Sequence, residues 1–148
     1  MNPGMKIVLL DSLNKRVVFL KHMIDSLQLE GIEAIHGRAE EYGHCENWRE
    51  GFDFAVARAV APLPVLLEYC LPFIKKGGCF FAYKGPEGLQ EARASLNALQ
   101  ILGGEIANTY EETLPQEKGK RCLLTIKKTG KTPDKFPRRS GMPEKKPL

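Results

Sequence analysis

The chain predicts an α/β domain built on a mostly parallel, doubly wound sheet. Short apolar runs of β type alternate with helical segments along most of the sequence. The runs read as apolar on both faces, as buried parallel strands do, rather than alternating with polar residues. The last two runs have no helix between them, which predicts an antiparallel hairpin at one edge.

The elements follow in order. KIVLL at 6–10 is a strand after the turn signal Asn2-Pro3-Gly4. Ser12 is the expected N-cap of a helix over 13–29, with apolar residues at 13, 17, 20, 24 and 27 on one face and Gly31 as its left-handed stop. IEAIH at 32–36 is a strand, and 37–51 is a polar loop with a helical turn or two. FDFAVA at 52–57 is a buried strand ended by Arg58. A helix is expected from Pro62 to Ile74, closed by Lys75, Lys76 and Gly77-Gly78. CFFAY at 79–83 is the next strand, and Leu89 to Leu102 a single helix ending in Gly103-Gly104. Strands at 105–110 and 121–127 follow, joined by a loop with Pro115 and Gly119. Residues 1–128 are expected as one domain. With four prolines and little periodicity, 129–148 is expected as an extended basic arm.

Composition excludes several classes. The chain has 148 residues, 43% hydrophobic and 27% charged, which is too apolar for a disordered chain. No apolar run approaches a membrane span and no signal-peptide pattern opens the chain, so a cytoplasmic protein with no membrane partner is expected. The net charge of +4 hides an asymmetry. Residues 118–148 carry a net +9 and residues 1–117 a net −5. A basic end on an acidic body suits contact with nucleic acid or an anionic membrane, and equally a solubilising tail. Cys45, Cys70, Cys79 and Cys122 form no CxxC pair, so neither a metal site nor a redox motif is expected. His22, His36 and His44 have no ligand or triad spacing.

In a doubly wound sheet ligands bind beyond the carboxyl ends of the strands. Asp11, Arg58 and Lys84 lie at such ends. Asp11 suits the hydroxyls of a ribose or, alternatively, the cap of the helix beside Ser12. Arg58 sits between apolar stretches and must find a partner. A carboxylate or phosphate ligand fits, and a structural ion pair with Glu40, Glu50 or Asp53 is the alternative. Lys84 meets a phosphate or solvent. Glu40 and Glu41 have the chemistry of an acid/base pair, although carboxylates on a polar loop are more often solvated. No Walker loop, GxGxxG or Ser-His-Asp set is present.

Four stretches carry a resemblance: LLDSLNKR at 9–16, HGRAEEYG at 36–43, FDFAVARAVAPLPVLLEYCLPFIKKGG at 52–78, and KTPDKFPRRSGMPEKKPL at 131–148. They resemble the bacterial 16S ribosomal RNA (guanine-N7) methyltransferase G family, also called glucose-inhibited division protein B. The resemblance implies a class I methyltransferase fold and S-adenosylmethionine as cofactor. It places Asp11 beside the cofactor ribose, Ala39 and Glu40 along the adenine, and Arg58 in the cofactor and active-site pocket. Arg16, Lys84, Arg138 and Arg139 are similar to basic positions facing RNA, with Lys84 also a candidate for catalysis. No acid/base pair is needed, because guanine N7 already carries an in-plane lone pair and the chemistry is positioning.

The family pattern also holds N-terminal helices, a first strand and a G-x-G-x-x-x-P-G loop ahead of the point where this chain starts. Relative to that pattern the first strand, expected between 6–10 and 52–57, is missing. The expectation is a weakly stable chain, or one that associates with another across the gap, and weak cofactor binding by the chain alone. A non-catalytic RNA-binding module using the basic end is the alternative function. A nicotinamide-dependent dehydrogenase is a distant third.

Overall fold

The structure, a computed structural model, describes residues 4–58, 60–115 and 119–148. The turn expected at Asn2 and Pro3, Ala59, and part of the loop before Gly119 lie outside the described residues. The chain divides into two compact units, Met1–Ala39 and Glu40–Leu148.

The first unit holds strand β1 (Ile7–Asp11), helix α1 (Asn14–Ser26) and strand β2 (Ile32–His36). The strands pair in parallel, from Ile7 opposite Ile32 to Asp11 opposite His36. Ser12 does not cap the helix. Leu13 takes the N-cap position without a side-chain bond, and Oδ1 of Asp11 accepts the Leu13 N–H at 2.8 Å. The helix also stops early: Ser26 is its last residue and Gln28 adopts the left-handed conformation. Gly31 serves a different purpose. Its φ is 72°, and a Cβ there would stand 2.8 Å from the Met5 carbonyl oxygen, so it lets the chain pass close to the entry of β1. Of the expected apolar stripe only Val17 is fully buried, while Leu13 and Leu27 are more than half exposed.

Helix α2 (Ala39–Tyr42) begins on the last residue of the first unit. The second unit then runs through β3 (Phe52–Arg58), α3 (Leu63–Cys70), a 3-10 turn (Leu71–Phe73), β4 (Ile74–Lys84), α4 (Gly88–Ala94), α5 (Leu96–Leu102), β5 (Gly104–Thr113), β6 (Lys120–Lys128) and α6 (Met142–Lys145). Its sheet has the order β3-β4-β6-β5, parallel between β3 and β4 and antiparallel thereafter. The edge hairpin is therefore present, with β5 outermost. Among the described residues, β3 pairs on one side only.

One face of this sheet is the core. Phe80, Ala82, Leu124 and Ile126 pack with Leu63, Leu66 and Leu67 of α3 and Ala98, Leu99 and Leu102 of α5. The opposite face carries Phe54, Val56 and Tyr83, which are 60%, 66% and 49% exposed.

Three elements differ from their expected extents. Pro72 cannot continue an α-helix, so α3 ends at Cys70 and tightens into the 3-10 turn. Lys75 to Gly78 are then not a helix end but an irregularity within β4. Phe52 pairs with Ile74 while Phe54 pairs with Cys79, and the intervening residues bulge out. The helix expected over 89–102 is broken at Ser95, which is buried and donates its hydroxyl to the Glu91 carbonyl at 2.7 Å.

The largest correction concerns the C-terminal segment. Residues 129–148 are not an extended arm but fold onto the second unit. Thr132, Phe136 and Pro143 are buried, and Phe136 joins the hydrophobic core. The prolines and charges that suggested an arm hide a few anchoring residues, several of whose partners lie 70 to 101 positions away in the chain.

Candidate functional site

Asp11 ends β1 with its side chain 24% exposed. Oδ1 accepts from the Leu13 amide, and Oδ2 lies 3.4 Å from the Arg16 guanidinium. Both readings of Asp11 are compatible with this arrangement: it fixes the entry to α1, and it leaves a carboxylate reachable from solvent. Arg16 itself is 68% exposed.

Ala39 and Glu40 open α2. Glu40 is not a solvated loop residue but is buried, and its Oε1 accepts the Gly141 amide at 3.1 Å. Glu41 is exposed, so the two carboxylates are not a matched pair. Gly141 has φ 79°, which glycine adopts without strain. Beside Glu40, burial and the carboxylates of Glu40, Glu144 and Glu68 push the Tyr69 hydroxyl well above the usual phenol range. Its O–H donates to Glu144 at 3.2 Å.

Arg58 is exposed at the tip of β3, opposite Tyr83 of β4. Among the described residues its side chain has no ion-pair or hydrogen-bond partner. The carboxylates considered for it are engaged elsewhere: Asp53 with Lys75, Glu50 with Lys128, and Glu40 with Gly141. The structural ion pair is therefore not formed, and Arg58 is a cation presented at a strand end.

Lys84 and Arg138 depart from the expectation that they face RNA. Lys84 is 9% exposed, with Nζ 2.7 Å from Oε2 of Glu91 and donating to the Ala61 carbonyl at 2.9 Å. Arg138 gives its backbone N–H, Nε and Nη2 to Glu68, a carboxylate with no exposure at all. Both side chains are spent on internal contacts. Arg139, the next residue, is exposed, and among the described residues its side chain has no such partner.

Sequence reasoning missed the residues that hold the C-terminal segment. Lys128 is fully buried, with Nζ donating to the Leu71 carbonyl and the Thr132 hydroxyl, each at 2.6 Å, and 3.3 Å from Glu50. Arg49 donates from Nη1 to the carbonyls of Gly43 and Phe136 and from Nη2 to those of Thr132 and Pro133. Nε2–H of His44 donates to the Pro137 carbonyl at 2.7 Å. The only available signal was local. A cluster of Lys, Thr and Pro reads as solvated until its distant carbonyl partners are known.

No group of histidine, cysteine, aspartate and glutamate able to hold a metal occurs among the described residues. All four cysteines are free. Among the described residues, no helix is long and apolar enough to cross a membrane. Among the described residues, Asp11 and Arg58 are sequence-expected charged groups that stand at strand ends.

The second unit, with its antiparallel hairpin beside a parallel pair, has the sheet of a Rossmann-like α/β domain, the fold class shared by the solved methyltransferases it superposes on. An rRNA methylase from Streptococcus thermophilus superposes with a TM-score of 0.61 at 18% identity, covering 84% of this chain and 74% of that one. Residues 1–118 match the family described as GidB, rRNA small subunit methyltransferase G, and the chain belongs to that family. The ribosomal RNA small subunit methyltransferase G of Alkaliphilus metalliredigens is 52% identical over 99% of this chain and 61% of its own length. That of Lactobacillus acidophilus is 47% identical over the whole chain and 62% of its own length. The chain thus spans about three-fifths of the curated relatives it matches.

Proposed function

We propose that the chain is the larger part of an enzyme that transfers a methyl group from S-adenosylmethionine to N7 of a guanine in 16S ribosomal RNA, acting in the cytoplasm. The observation that carries this reading is Arg58, a cation without an ion-pair partner among the described residues, at the tip of a parallel strand in a chain of this family.

Taken unit by unit, the residues present have the chemistry that parts of the cofactor need. Asp11 offers a partly exposed carboxylate, the acceptor a ribose hydroxyl needs. Glu40 has one oxygen fixed by Gly141, leaving the other without a donor among the described residues, as an adenine amino group needs. Arg58 offers a fork of donors to a carboxylate. Ala39, beside Glu40, gives a small apolar wall to the adenine. When bound, the cofactor supplies an electrophilic methyl group on a sulfonium. The protein holds and orients. The buried Glu40 is already fixed by Gly141, so its orientation costs nothing further on binding. No residue need remove a proton, because N7 attacks with a lone pair it already has.

The RNA surface is drawn from exposed cations, Arg16 and Arg139 foremost, with salt-sensitive phosphate contacts. Guanine N7 lies on the Hoogsteen edge, so the RNA must present that edge, as a splayed base does.

The open side of β3 and the exposed Phe54 and Val56 support a further strand and covering segment, from the remainder of a longer protein or from a second copy of the chain. Alone, the 148 residues would then bind the cofactor weakly and be marginally stable. Calorimetric titration with S-adenosylmethionine tests this; micromolar affinity, or a stable cooperative monomer, contradicts it. A non-catalytic RNA-binding module using the basic C-terminal end is the second reading, supported by the net +9 of residues 118–148. It is separated from the first by methyl transfer to deproteinised small-subunit RNA, with Arg58→Ala as the control.

A further inference from the structure

We infer that Lys84 and Glu91 are positioning residues, a single ion pair that fixes residues 61–63, where helix α3 begins a few positions after Arg58. Helix α3 has no cap of its own. Pro62 stands at its N-cap without a side-chain hydrogen bond, and Ala61 has nothing to offer. The missing acceptor comes from another helix: Oε2 of Glu91, in α4, accepts the Leu63 N–H at 2.6 Å. A carboxylate at that point both satisfies an orphan amide and complements the positive end of the helix dipole.

The same oxygen lies 2.7 Å from Nζ of Lys84, and the lysine reaches past it to the Ala61 carbonyl at 2.9 Å. Residues 61–63 are therefore held on the acceptor side at Ala61 and on the donor side at Leu63 by two side chains that neutralise one another. Lys84 is 9% and Glu91 26% exposed, so the pair is little weakened by solvent. Lys84 directly follows Tyr83, the residue opposite Arg58 across the sheet. The ion pair thus sits one position beyond the strand end that presents Arg58 and fixes the chain three residues after it. Lys84 acts on the site through the backbone and not by touching RNA. The geometry stands without any ligand. Only its consequence for the reaction rests on the reading of Arg58 as a cofactor contact.

The test uses Glu91→Gln, Lys84→Met and Lys84→Arg in the 148-residue chain, with amide hydrogen exchange at Leu63 and the side-chain Nε resonance of Arg58 as readouts. Glu91→Gln keeps the lysine charge, yet the account expects Leu63 exchange to rise by about ten-fold or more and the Arg58 resonance to shift. Lys84→Met does the same, and Lys84→Arg, which preserves charge but not the fit to Ala61 and Glu91, does not restore either signal. If Lys84→Met fails to fold, Glu91→Gln decides alone. Unchanged Leu63 exchange and Arg58 resonance in Glu91→Gln overturn the inference, as does full restoration of both signals by Lys84→Arg. Neither readout involves cofactor or RNA, so failure of the methyltransferase reading leaves this result untouched.

Discussion

Arg138 closes on Glu68 as a fork on a carboxylate, with Nε 2.9 Å from Oε1 and Nη2 2.7 Å from Oε2. Its backbone amide donates to the same Oε1 at 2.7 Å. Glu68 is fully buried on α3 and Arg138 is 22% exposed, so this contact ties the C-terminal segment to the core of the second unit. The carboxylate holds the arginine protonated and lifts its pKa further, despite the opposing cost of burial.

Removing one partner strands a buried charge. Arg138→Gln is expected to cost about 3 kcal/mol, the lower end of the range for breaking buried pairs because the arginine keeps some solvent contact. Urea unfolding followed by the single tryptophan, Trp48, measures it. The double change Glu68→Leu with Arg138→Leu should recover much of the loss, since no charge is then left unpaired.

Two adjacent arginines are expected to behave differently toward RNA. Arg139→Gln should lower the slope of log affinity against log salt by about one phosphate contact. Arg138→Gln, at a temperature where it stays folded, should leave that slope unchanged. Equal slopes for the two variants would place both on the RNA surface.

Lys128 makes stability depend on pH at the alkaline end. Burial, the largest influence, holds its pKa below the usual lysine value of 10.5, opposed by Glu50. Between the folded value and 10.5 the unfolded chain binds a proton that the folded chain lacks. Unfolding free energy attributable to this group therefore rises with pH across that window. Lys128→Met should remove the rise, seen as the difference between denaturation midpoints of the two proteins as pH climbs toward 10.5.

Gly103 ends α5 at φ 77°, and a Cβ there would stand 2.6 Å from the Gly130 carbonyl oxygen. Gly103→Ala should destabilise by more than the roughly 1 kcal/mol of left-handed strain alone, because backbone must also move. A thermal midpoint within a degree of the parent would contradict the close packing of Gly103 against Gly130.

The strands, the edge hairpin and the strand-end charges at Asp11 and Arg58 were legible in the sequence because they depend on local pattern. Apolar runs mark strands, and a charge just after such a run marks a tip, although the strand at 52–57, expected to be buried, leaves Phe54 and Val56 exposed on one face. The contacts of Lys84, Glu40 and Arg138 were not legible. All three are polar residues in polar or loop-like contexts, and their partners Ala61, Gly141 and Glu68 lie 23 to 101 positions away. Pro72 could have shortened α3 on paper, but the basic pair and two glycines that follow it imitate a helix end and concealed the bulge in β4.

The measurement that bears most directly on the central claim is methyl transfer from labelled S-adenosylmethionine to deproteinised small-subunit ribosomal RNA. It should be made with this chain, with an N-terminally extended form, and with Arg58→Ala in the extended form. The account predicts transfer to a guanine N7 by the extended form, little or none by the 148 residues alone, and a loss of about 10²-fold or more on replacing Arg58. No transfer by the extended form, or undiminished transfer without Arg58, would contradict it.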